Sequence, residues 1–167
     1  MAFNIFISYS TKDGEIAKSI EKYFKQIKDT EPFLYDSQLT IGNLTEILIQ
    51  RITQCNLFIV LYSKNSHQSI PVQHECAVAR GAHRDIIIML LDPEVKPEAM
   101  LTGINYLDCY DEQKMSEQLP RLYQYIANKS QEKATNELLV IGVLGVAAWW
   151  ALSKRNREPK PNSNKLK

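Results

Sequence analysis

Cysteine is sparse in this 167-residue chain: Cys55, Cys76 and Cys109 make an odd set without a CxxC pair. That excludes a disulfide framework and suggests no zinc ligand set. Each thiol falls in an expected core element, where free cysteine behaves as a small hydrophobe, and this usage fits a reducing compartment. The six glycines form no GxGxxG, and the first apolar strand ends in SYSTKD. The chain therefore lacks the phosphate loop of a conventional dinucleotide oxidoreductase or nucleotide receiver. A paired-acid cluster for Mg²⁺ is absent as well. The amino terminus, MAFNIFISYS, has neither the basic stretch nor the long apolar run of a signal peptide. No internal repeat is present. Net charge is small, +1, but uneven. Residues 1–137 hold 14 Lys and Arg against 18 Asp and Glu, a balance of −4; residues 138–167 hold 6 against 1, a balance of +5. A mildly acidic domain makes a poor nucleic-acid binder.

What the chain does have is alternation. Apolar strands are expected at Phe3 to Ser8, Phe33 to Tyr35, Leu57 to Tyr62, Ile86 to Leu91 and Tyr106 to Cys109. Between them lie helical patterns at Glu15 to Lys28, Leu44 to Ile52 and Val72 to Ala82, with a last one at Met115 to Ala127. The order argues for a parallel α/β sheet with helices on both faces. Leu57 to Tyr62, six apolar or aromatic residues in a row, suits a strand covered on both sides. The polar turn Ser63 to Ser69 follows it, where such sheets place their ligand crevice.

After the domain at 1–128, residues 129–137 read as a polar linker and 154–167 as a basic disordered tail. The uncharged run 138–153 would make about 24 Å of helix against a hydrocarbon core of about 30 Å. Flanking Lys154 and Arg155 can snorkel, and Trp149 and Trp150 suit an interface belt. A membrane-associated, single-pass helix is expected there, with the domain on the cytoplasmic side.

Three ordered blocks together resemble a Toll/interleukin receptor (TIR) domain: FISYSTKD (Phe6 to Asp13), LTIGN (Leu39 to Asn43) and FIVLYSKNSHQSIPVQHE (Phe58 to Glu75). The resemblance covers about residues 3–128 and implies a five-stranded flavodoxin-like parallel sheet. Some family members are scaffolds that assemble through TIR–TIR contacts, the loop holding LTIGN (the BB loop) inserting into a neighbour. Others, many of them prokaryotic, cleave NAD at the nicotinamide–ribose bond. They release nicotinamide with ADP-ribose or a cyclic isomer. The resemblance implies such an NAD glycohydrolase in prokaryotic defence, active on self-association, with NAD a consumed substrate and no cofactor or metal. The alternative is a non-enzymatic scaffold at a membrane.

The enzymatic members carry a glutamate in the helix after the third strand, and Glu75 matches it. Taken alone, Glu75 reads as one more exposed helical acid, but it lies at the margin of the apolar stripe Val72, Cys76, Ala79 and should be partly buried. A lone carboxylate suffices for this chemistry. Nicotinamide leaves as a neutral base, and the acid stabilises the oxocarbenium-like ribose left behind. The resemblance also implies substrate-binding roles for Ser8, Tyr9, Ser10, Gly42 and Leu44. Asp13 and its neighbours read equally well as turn and helix-capping residues, and Leu44 as a core residue. Gly42 suits a permissive backbone position. Pro71 stands where enzymatic relatives have tryptophan, four residues before the glutamate, and Ile41 where many signalling members have proline. His67, His74 and His83 have no metal-ligand partners and are expected at the surface.

Overall fold

The computed structural model describes residues 2–35 and 44–155, with side chains described over 2–35 and 46–135. The chain divides into two compact units, Met1–Gln131 and Glu132–Lys167. The first holds five parallel strands: β1 (Phe3–Ser8), β2 (Thr30–Leu34), β3 (Leu57–Tyr62), β4 (Asp85–Leu90) and β5 (Tyr106–Asp108). Their spatial order is β2-β1-β3-β4-β5, the flavodoxin-like arrangement expected from sequence. β3 lies at the centre, and all six of its residues are buried. Period-two alternation sends Leu57, Ile59 and Leu61 into one core and Phe58, Val60 and Tyr62 into the other.

The helices are α1 (Gly14–Phe24), α2 (Leu44–Gln54), α3 (Lys64–His67), α4 (Ile70–Gly81) and α5 (Glu112–Arg155). Ala17, Ile20 and Phe24 of α1 join Leu122 and Ile126 of α5 on the first core. Ile52 of α2 and Val72, Cys76 and Ala79 of α4 cover the second. All three cysteines are buried in these cores.

Several boundaries differ from expectation for identifiable reasons. α1 stops at Phe24 rather than Lys28 because the Thr30 hydroxyl donates to the carbonyls of Phe24 and Ile27, at 3.0 and 2.9 Å. It thereby satisfies acceptors that another helical turn would have used. Asp29 then turns the chain with φ 59°. β2 begins three residues before Phe33. Its Pro32 lacks an N–H, a defect tolerated on an edge strand. α3 is short and held by a capping box between Ser63 and Ser66. α4 starts at Ile70 with Pro71 in its first turn, where the missing N–H is harmless.

Residues 129–137, expected as a linker, are helical within α5. The apolar run 138–153 also lies within α5, but its side chains fall outside the described residues. Among the described residues no helix is long and apolar enough to cross a membrane.

Candidate functional site

The strand order creates a switch point. From β1 the chain passes to β2 on one side, then crosses to β3 on the other. In open α/β sheets the ligand crevice opens at the carboxyl ends of the two strands flanking such a reversal. Here those ends carry Ser8, the last residue of β1, and Ser63, which follows β3. Ser8 pairs with Val60 across the ladder, and alternation with Phe6 turns its side chain toward the face covered by α4.

On that face the Ser8 hydroxyl donates to Glu75 Oε2 at 2.5 Å. Both residues are buried, Ser8 at 1% and Glu75 at 7% exposure. Glu75 is thus more deeply buried than its expected place at the edge of the stripe. Burial pushes its carboxyl up from the ordinary 4.5 to about 7, while the Ser8 bond pulls the other way. Its neighbour Cys76 is raised to about 12 by burial and by the Glu75 charge. That thiol is no nucleophile.

A second network lies in the loop after β1 and the turn after β3. Asp13 Oδ2 accepts from the Ser63 hydroxyl at 2.6 Å, and its Oδ1 accepts from Asn65 Nδ2 at 2.8 Å. Ser63 Oγ in turn accepts from the backbone N–H groups of Asn65 and Ser66, at 3.1 and 3.2 Å. The loop after β1 is thereby joined to the turn after β3.

Of the expected site residues, Ser8 and Glu75 are brought into direct contact. Ser10 is buried just beyond them and precedes a short 3-10 turn, Thr11–Asp13, without capping it. The Tyr9 side chain packs on the opposite core, the one formed with α1 and α5. Leu44 opens α2, but its side chain falls outside the described residues, as does Gly42 altogether. Pro71 is exposed. His74 and His83 are exposed as expected, but His67 is half-buried. Its Nδ1 lies 2.8 Å from the Tyr62 hydroxyl. Among the described residues no group of three or more potential ligands could hold a metal ion.

Sequence reasoning missed α3 and the Asp13 network. The available signal was the Ser63/Ser66 spacing of three, which is that of a capping box. Nothing local pointed from Asp13 to partners about fifty residues away.

A doubly wound parallel sheet with its buried acid at the switch point defines an α/β protein of flavodoxin-like topology. The sequence model of the TIR domain matches residues 5–123, and the chain belongs to that family. Solved structures agree on the fold. The TIR domain of a Toll-related receptor from Hydra magnipapillata superposes with a TM-score of 0.61 at 20% identity, over 73% of this chain and 96% of that one. A CMP N-glycosidase from Clostridium botulinum does so with a TM-score of 0.51 at 17% identity, over 70% and 98%. No curated protein sequence matches the chain.

Proposed function

We propose that this TIR domain is an NAD glycohydrolase, with Glu75 as its catalytic carboxylate. One observation carries the reading: a buried acid, bonded to Ser8, stands at the switch point of the sheet and has no ion-pair partner among the described residues. Water and NAD are the reactants. As the N-glycosidic bond breaks, its electron pair goes to the nicotinamide ring nitrogen and neutralises the positive charge there. The positive charge moves to the ribose, where Glu75 stabilises it. Water then bonds to the anomeric carbon and gives up a proton, leaving ADP-ribose; attack by the adenine of the same molecule instead gives a cyclic isomer. Ser8 occupies Oε2 and fixes the carboxyl plane, which leaves Oε1 for a ribose hydroxyl. Ionisation with a midpoint about 7 sets the working range, so activity rises as pH passes upward through that value.

In this reading Ser10 and Gly42 keep the substrate-binding roles that the family resemblance implies, and self-association completes the site. Residues 138–153 attach the chain to a membrane and keep the domain on the cytoplasmic side. This part rests on the sequence alone, as does a role in prokaryotic defence. The likeness to the CMP N-glycosidase shows the fold only. The scaffold reading keeps one specific support, the exposed Pro71 where a tryptophan would have offered a ring.

The test is nicotinamide release from NAD by the full chain at high protein concentration, with and without lipid vesicles, beside Glu75→Ala. Release by the wild type that is lost in the variant supports the proposal. No release removes it in favour of the scaffold; release that survives the substitution removes Glu75 as the catalytic carboxylate.

A further inference from the structure

Asp13 occupies the N-cap position of α1, where an aspartate ordinarily accepts from the helix's own N–H groups. Its side chain makes no such bond. It forgoes that stabilising cap and reaches across to Ser63 and Asn65 instead. Both contacts are charge-assisted, and such bonds are short, directional and about twice as strong as neutral ones.

The two segments they join are those that carry the site. Ser8 lies at the root of the loop that ends in Asp13. Ser63 and Asn65 open the turn that leads through α3 into α4 and Glu75. Apolar packing of Val72, Cys76 and Ala79 holds α4 to the sheet, but such packing is non-directional and sets no loop register. The Asp13 bonds do set it.

We propose that Asp13 is a positioning residue: it clamps the loop after β1 to the turn after β3, and so holds Ser8 and Glu75 in contact and shut off from water. As a statement about catalysis this rests on the glycohydrolase reading. As a statement about the surroundings of Glu75 it does not.

The groups acting on Glu75 are few. Ser8 of β1 faces it, the buried Cys76 thiol and the exposed His74 are its titratable neighbours on α4, and no charged side chain among the described residues shifts it. Its titration therefore reports chiefly on burial. A clamp that opens admits water and brings the midpoint down toward 4.5. A mere loss of folded protein lowers signal and activity without moving the midpoint.

The experiment follows the ¹³C carboxyl resonances of glutamate-labelled full chain by NMR, with Glu75 assigned by its loss in Glu75→Gln. In Asp13→Ala the Glu75 midpoint falls by about one pH unit or more, and the pH profile of any nicotinamide release moves with it. Asp13→Asn retains the wild-type midpoint, because its amide rebuilds both bonds once the Asn65 amide turns over. An unmoved midpoint in folded Asp13→Ala overturns the proposal, and so does an equal fall in Asp13→Asn. If Asp13→Ala does not fold, Asn65→Ala decides on the same criterion: a lowered midpoint supports the clamp and an unchanged one overturns it. Absence of nicotinamide release by the wild type removes the NAD reading alone, since the titration is measured without substrate.

Discussion

Glu75→Gln tests the buried carboxyl through stability, independently of any substrate. In the folded chain the carboxyl titrates at about 7, against an ordinary 4.5. Between those values the folded state holds a proton that the unfolded chain has released. Stability therefore falls as pH rises across this window, and the contribution is fully present below 4.5 and gone above 7. At about 1.4 kcal/mol per pKa unit the gap corresponds to about 3 kcal/mol. Glutamine is uncharged at every pH and can still accept from the Ser8 hydroxyl. The assay is urea unfolding of both proteins at about pH 5 and about pH 8.5. From the lower to the higher pH the wild type loses about 2–3 kcal/mol more than Glu75→Gln, because part of the full gap is already lost at about pH 5, and contributions common to both proteins cancel. Equal losses, within about 0.5 kcal/mol, would refute the reasoning, since Glu75 would then be solvated and titrating normally.

Two further outcomes follow from the same geometry. Ser8→Ala removes the bond that, among the described residues, favours the charged carboxylate; the Glu75 midpoint rises above its wild-type value by NMR, and under the proposed function nicotinamide release shifts to higher pH. Cys55, Cys76 and Cys109 are buried and pushed up to about 11, 12 and 11; a thiol reagent near neutral pH labels none of them in the native chain and all three in denaturant, by mass spectrometry.

The legibility of this fold varied with how local its causes are. β3 is found with its bounds because six consecutive buried residues need no knowledge of their neighbours. β2 is misjudged because Pro32 is a strand breaker anywhere but at an edge, and edge position belongs to the sheet rather than the segment. α1 is overextended because Ile27 continues the apolar stripe, while the helix is ended by Thr30 capturing two carbonyls. Residues 129–137 look like a linker because they are polar, yet Gln131, Glu132, Lys133 and Ala134 are strong helix formers. The site shows the same division. Glu75 could be placed near the apolar stripe of its helix, but its full burial and its partner could not be read locally. Alternation tells which face Ser8 takes, not what stands opposite. Asp13 reads equally well as a turn or capping residue and as part of the pocket, and only the folded chain shows its carboxylate engaged with Ser63 and Asn65.

Ser8 and Glu75 are 67 positions apart in the chain, and the Asp13 contacts span 50 and 52. No fragment ending before α4 contains the pair, and a chain that has laid down β1 and β3 without docking α4 has a serine with no acid. Under the proposed reading, chemistry is tied to the completion of folding. A protein that consumes an essential dinucleotide is harmless during synthesis, and a chain truncated or misfolded at any stage before α4 docks is silent rather than toxic.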